Sequence, residues 1–158
     1  MGLFETGVPT REQIEKLKPP EGRKKPIAVI ECFEEIPCDP CREICKAGAI
    51  VMDKITDIPV LIPEKCTGCG KCVALCPGLA IFMVWPEKGL VWVPHEFLPI
   101  PQKGQKVLAL DREGNVACEA TVKTVMNARD KLETTVVCLE VPKELVMKVR
   151  AIKPGAID

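Results

Sequence analysis

The stretch CTGCGKCVALCP holds Cys66, Cys69, Cys72 and Cys76 at gaps of two, two and three residues, with Pro77 directly behind the last. Thiolates are soft donors that suit zinc or iron–sulfur clusters. A cube of iron and sulfide presents neighbouring iron corners to one tight loop, and two-residue gaps let successive thiolates reach separate corners. Gly68 and Gly70 permit backbone conformations that turn N–H groups toward cluster sulfurs and stabilise their negative charge. Pro77 then stops the short helix and removes a donor. Structural zinc is the rival reading, but zinc favours separated Cys-x-x-Cys pairs with four ligands per ion. Three cysteines at strict two-residue gaps, plus a fourth and a proline, fit it poorly.

An earlier region is less regular. Cys38, Cys41 and Cys45 stand at gaps of two and three, matching the last three positions of the run. Where the run would place its first ligand stands Glu35, and Cys32, one FEEIP loop ahead of Cys38, is the replacement. With Cys32 outside the set, this site would hold a three-iron cluster or a labile fourth iron.

The elements that must carry these thiols repeat. IAVIEC reads as a strand, REICKAGA as a short helix and AIVMD as a strand; PVLIP, KCVALC and LAIFMVW then follow as strand, helix and strand. Pro86 to Gly89 turns the chain between FMVW and LVWV as a four-residue hairpin loop. From Lys103 onward KVLAL, ACEATVKTVM and TTVVCLEV read as strands, with Cys118, Ala120 and Val122 on one face and Val137, Leu139 and Val141 inward. PKELVMKVRAI reads as a helical turn followed by a strand. The expected class is α+β, with a cluster module at 27–94 and a small all-β, barrel-like domain at 95–158. Residues 1–26 form an arm with one short helix, capped by Thr10 and Gln13. The arm lies either on another chain or on its own.

Composition narrows the chemistry. The 47% hydrophobic content supports a core, and the 4% aromatic content with no Tyr makes that core aliphatic. Charge balances are +2 over residues 1–29 (six basic, four acidic), −3 over 30–80 (five, eight) and +1 over 81–158 (eleven, ten). No basic patch suits nucleic acid. There is no run of 18 apolar residues and no charged-then-apolar leader pattern, so a cytoplasmic protein without a membrane span is expected. Ten cysteines then point to metal rather than disulfides. Few side-chain amides and many prolines hint at a thermophilic source. With no Ser, a single His and no Gly-rich nucleotide loop, no catalytic site is visible. His95, Trp85, Trp92, Cys118 and Cys138 read as structural.

The paired cysteine runs resemble those of two-cluster bacterial ferredoxins over roughly residues 27–85. That likeness implies two [4Fe–4S] clusters with ligands crossing between the halves. Cys32, Cys38, Cys41 and Cys76 would hold one, and Cys45, Cys66, Cys69 and Cys72 the other. The whole layout also resembles the small ferredoxin-type subunit of multisubunit FAD-dependent dehydrogenases, acting on amino acids such as proline or on glycerol 3-phosphate. This second likeness rests on the arm, the long first loop and the tail LPIPQKGQKVLALDREG. It implies FAD-containing partner subunits and a relay of electrons between flavin, NAD(H) or other redox sites. A free-standing soluble ferredoxin and a non-redox, metal-stabilised scaffold are the alternatives. A free carrier needs only the cysteine module, so arm and tail read as docking segments, the tail as a docking domain.

Overall fold

The computed structural model describes residues 6–126, 133–155 and 157. The strands are β1 (Ile27–Ile30), β2 (Ile50–Val51), β3 (Val60–Leu61), β4 (Ile81–Trp85), β5 (Leu90–His95), β6 (Lys106–Leu110), β7 (Val116–Met126), β8 (Thr135–Glu140) and β9 (Ala151–Ile152). The helices are single turns: α1 (Arg11–Glu15), α2 (Pro40–Ile44) and α3 (Lys71–Leu75). Around Thr10 the expected capping box forms, its hydroxyl accepting from the Gln13 N–H while the Gln13 amide oxygen accepts from the Thr10 N–H. A helix this short is marginal alone. Leu17 packs onto the core of the same chain.

Seven strands form one antiparallel sheet in the order β1-β4-β5-β8-β7-β6-β9, and β2 pairs with β3 in a separate ribbon. The strands of the second half therefore continue the sheet begun by the cluster-bearing half. The joint is β5 on β8, six residue pairs from Leu90↔Glu140 to His95↔Thr135. Among the described residues no pairing closes these strands into a barrel. The barrel-like unit expected there is not shown: alternation tells which face is inward but not which neighbour covers a strand edge. β8 illustrates this. Val136, Val137, Cys138 and Leu139 are all buried, as befits a strand covered on both faces rather than one alternating face.

The β4–β5 hairpin forms as read, through a 3₁₀ turn at Pro86–Lys88 and Gly89 at φ +67°. A Cβ at Gly89 would lie 2.5 Å from the Val141 carbonyl oxygen, so glycine is needed for space as well as conformation. The core is aliphatic: Ile27, Val29, Val73, Ile81, Val84, Val91, Val93, Val107, Val122 and Leu139 are fully buried. Helix α3 packs across β4, β5 and β8, and the Thr134 N–H donates to the Ala74 carbonyl at 2.9 Å. The helix carrying Cys72 thus rests partly on the second half of the chain.

Candidate metal centre

The two cysteine regions are built alike at an interval of 31 residues, Cys38, Cys41 and Cys45 recurring as Cys69, Cys72 and Cys76. Cys41 and Cys72 each sit at the second residue of a one-turn helix, and Cys45 and Cys76 each form its C-cap in extended conformation. The N–H four residues on then approaches the sulfur, Ala49 to Cys45 Sγ and Ala80 to Cys76 Sγ, both at 3.4 Å. A strand begins at the next residue, Ile50 or Ile81. Each last cysteine is thereby aimed by a fixed turn between helix and strand.

These turns direct the last thiol of each run into the other run's pocket. One cavity, about 360 Å³, has Cys45, Cys66, Cys69 and Cys72 in its lining, with Met83 and Ile50 among the apolar walls. The other has Cys32, Cys38, Cys41 and Cys76, with Ile81 and Pro59 beside them. Cys32 joins the second group; Glu35 is exposed. Among the described residues no three His, Cys, Asp or Glu side chains converge on a single ion. Four thiols instead surround a volume, the arrangement that the separate corners of a cube require.

Electrostatics divides the thiols the same way. Burial pushes the Cys72 thiol up to about 12, and Cys66, Cys69 and Cys45 add to the shift. Burial pushes Cys41 up to about 11, partly offset by a hydrogen bond from the Arg42 backbone and reinforced by Cys76, Cys38 and Cys32. Cys32 and Cys38 are raised by burial first, with Cys76 again among the causes. Each set concentrates negative charge when ionised, and a bound metal would supply the compensating cation. Soft sulfur donors suit iron–sulfur clusters. The second pocket is narrow, about 20 Å³, little more than one water needs. Glu34 and Ile36 of the inserted loop share its lining and are themselves exposed, so widening it sacrifices little buried surface.

Supporting groups absent from the sequence reading complete the picture. Arg23 donates to the carbonyls of Lys25, Pro63, Pro26 and Cys66 at 3.2, 2.8, 3.0 and 2.6 Å. Glu31, directly before Cys32, accepts from Arg112 at 2.8 and 2.9 Å and from Arg150 at 2.6 Å. No local signal identifies these partners. Cys138 is buried on β8 and pushed up to about 12 by burial, while Cys118 is only half-buried. Neither lines a cysteine cavity. His95 is buried, with no partner for Nε2 among the described residues, and burial lowers its pKa despite hydrogen bonds with the Phe97 and Pro99 backbone. Trp85 lies under Lys88 at 5.8 Å. No helix of the described residues is long and apolar enough to cross a membrane.

Residues 36–80 match the 4Fe-4S dicluster domain family. The chain is 37% identical over 57 residues to one component of the Na(+)-translocating ferredoxin:NAD(+) oxidoreductase complex of Acetobacterium woodii, covering 36% of this chain and 17% of that protein. It is 49% identical over 47 residues to one component of an ion-translocating oxidoreductase complex of Methanosarcina acetivorans (29% and 17%). A polyferredoxin-like subunit of an aliphatic sulfonate oxidoreductase from Pyrococcus furiosus is 37% identical over 57 residues (36% and 31%). The matches thus span about a third or less of these relatives' lengths. No solved structure matches. The segment matched by the family holds Cys38, Cys41, Cys45, Cys66, Cys69, Cys72 and Cys76 but begins after Cys32, and its chemistry is iron–sulfur electron transfer. The chain therefore carries a 4Fe-4S dicluster ferredoxin domain, with two [4Fe–4S] clusters as its cofactors.

Proposed function

We propose that this chain is an electron-transfer subunit of a multisubunit, flavin-dependent dehydrogenase, relaying electrons between flavin, NAD(H) or other redox sites of its partners. Cys32, Cys38, Cys41 and Cys76 hold one cluster; Cys45, Cys66, Cys69 and Cys72 hold the other. The observation that carries the ligand sets is the pair of cavities, each lined by four thiols drawn from both runs. The clusters supply one-electron chemistry when bound. The protein's part is to fix eight thiolates, exclude water with Ile50, Ile81 and Met83, and offer N–H donors at Ala49 and Ala80 to two of the sulfurs. Those donors, and any cationic neighbours, favour the reduced cluster charge.

The subunit reading over the free carrier is supported by two adjacent exposed apolar side chains, Phe97 at 65% and Leu98 at 78%. Large apolar side chains grouped on a surface mark interaction sites. Phe97 and Leu98 keep the docking role at the 95–158 segment although its strands share the main sheet. The three relatives are likewise named as subunits of oxidoreductase complexes. FAD-containing dehydrogenase subunits are the partners in this reading, which rests on the layout of arm, module and tail.

Anaerobic purification from the native source tests both levels. The expected chain has about eight iron and eight sulfide and co-elutes with flavin absorbance on gel filtration near 1 M salt, where exposed charges reach only about 3 Å. Elution as a lone 17.3 kDa species with its clusters, from an extract containing the flavoproteins, would install the free carrier instead. Stoichiometric zinc without sulfide would overturn the cluster ligation itself.

A further inference from the structure

Glu31 ends a buried ion-pair network that begins in the far half of the chain. Its carboxylate accepts from Arg112, in the β6–β7 turn, and from Arg150, just before β9, across 81 and 119 residues of sequence. The side chains are 6%, 12% and 3% exposed, respectively. Arg150 also donates to the Val146 and Val149 carbonyls and stacks over the Phe82 ring at 4.9 Å. Arg150 is therefore fixed independently of Glu31, and Arg112 adds a two-pronged grip on the same carboxylate.

What Glu31 in turn holds is the start of the irregular cysteine set. Its N–H donates to the Ala80 carbonyl at 2.7 Å, and the Ala80 N–H approaches Cys76 Sγ. Cys32 follows directly, and Cys32 and Cys76 line the same cavity. The regular run positions its first thiol by a two-residue gap, whereas Cys32 is separated from Cys38 by the five-residue loop 33–37, whose residues 34–37 are exposed. The loop offers the Cys32 thiol only a long contact, donated to the Glu34 carbonyl at 4.0 Å, so the firmer hold on its position comes from the β1 end.

We infer that Arg112 and Arg150 act through Glu31 as positioning residues for Cys32, making the C-terminal strands part of the assembly of the first cluster. The inference rests on the ligand reading above. Replacing the carboxylate in Glu31→Gln leaves two guanidinium groups without their anion, so the β1 end loses its tether and Cys32 drifts from the pocket. The fourth iron, the one Cys32 would hold, is then the iron lost.

The test compares four variants of the full chain, reconstituted anaerobically: Glu31→Gln, Arg112→Gln, Cys32→Ser and, as a control that breaks an exposed ion pair in the same half, Lys123→Ala. Iron content, the three-iron resonance of the oxidised protein and thermal melting are read together. Glu31→Gln and the milder Arg112→Gln should fall from about eight iron toward about seven and show the three-iron signal, as Cys32→Ser does. The cluster of Cys66, Cys69 and Cys72 should persist, and Lys123→Ala should keep all iron. Lower melting with full iron and no three-iron signal in both triad variants would reduce the network to a structural brace. Loss of both clusters together in both variants would also overturn it, because misplacing Cys32 alone spares the second set. If Cys32→Ser itself keeps all iron, the ligand reading fails rather than the positioning.

Discussion

The guanidinium of Arg23 donates to the Cys66 carbonyl at 2.6 Å across 43 residues, tying the end of the N-terminal arm to the entrance of the regular cysteine loop. The same side chain reaches the Lys25, Pro26 and Pro63 carbonyls, so one fork joins two backbone segments, 25–26 and 63–66, beside the first thiol of that loop. Arg23→Ala removes these bonds and should cost about 2 kcal/mol, lowering the melting temperature by roughly 4–8 °C in a chain of this size. The Cys66 set should also lose iron faster in air. Arg23→Lys should not restore it, because a point charge cannot span four carbonyls as a planar fork does. Full rescue by lysine, read as iron retained after timed air exposure, would show that only the charge matters.

Gly68 marks a second constraint on the same loop. It sits at φ +77°, and a Cβ there would lie 2.7 Å from the Pro26 carbonyl oxygen. Gly68→Ala therefore adds a backbone collision to the roughly 1–2 kcal/mol of the left-handed conformation, and either the loop or Pro26 must move. Iron at the Cys66 set should fall in Gly68→Ala. Gly104→Ala, at φ +89° with open space around it, should pay only the conformational cost and keep both clusters. Equal iron in the two variants would mean the loop absorbs the collision without displacing Cys66 or Cys69.

Cys138→Ala and Cys118→Ala should leave both clusters and their spectra unchanged. Cys138 is a buried core thiol on β8, and truncation there should cost no more than about 1–3 kcal/mol. Its pKa near 12 keeps it protonated at pH 8, so alkylation in the folded protein should be slow and become fast only on unfolding. Loss of either cluster signal in either variant would return these thiols to the metal chemistry.

Much of this was legible locally. Helices α1 and α3, β4, the hairpin at Gly89 and the limits of β6 follow from periodicity and turn residues, because short-range geometry decides them, whereas the helix read over REICKAGA forms earlier, at Pro40–Ile44. The gap pattern of Cys66, Cys69, Cys72 and Cys76 likewise carries its own meaning, since one loop must serve one cube. Cys32 is legible only by elimination, and its surroundings explain why: what fixes it is Glu31, held by Arg112 and Arg150 through the tertiary fold. The merging of the two halves was hidden for the same reason. Val91 and Val93 announce an inward face on β5, but nothing in them names β8 as the neighbouring strand.

Acid should expose the Glu31 network. Burial pushes the Glu31 carboxyl up, but the Arg112 hydrogen bond and the charges of Arg150 and Arg112 outweigh it and hold the pKa below the ordinary 4.5. Burial lowers Arg150 to about 10, opposed by Glu31, so it remains charged at neutral pH. A depressed carboxyl contributes stability that is present above the unfolded value and lost as pH falls through the folded one. The melting temperature of the native chain should therefore exceed that of Glu31→Gln at pH 7, with the difference shrinking only below about pH 4.5. A gap that stays constant between pH 6 and pH 3 would show that the carboxylate charge contributes nothing.

Truncation after His95 brings the merged sheet to a direct trial. On the sequence reading, the cluster module is complete by residue 94 and should keep its iron without the rest. The structure argues otherwise on three counts. Removing β8 strips the neighbour from β5 and uncovers Val91 and Val93, both fully buried, each worth about 1.5–3 kcal/mol of burial. It leaves Glu31 without Arg112 and Arg150, and an orphaned buried charge costs about 3–5 kcal/mol. It also withdraws Thr134 from the Ala74 carbonyl on the helix that carries Cys72. Together these approach the entire stability of an ordinary domain, about 5–15 kcal/mol. The 1–95 chain expressed anaerobically should be insoluble or markedly iron-poor, while the full chain from the same preparation carries both clusters. A soluble 1–95 protein with eight iron and eight sulfide would show that the cysteine half is self-sufficient and that the continuous sheet contributes nothing essential to it.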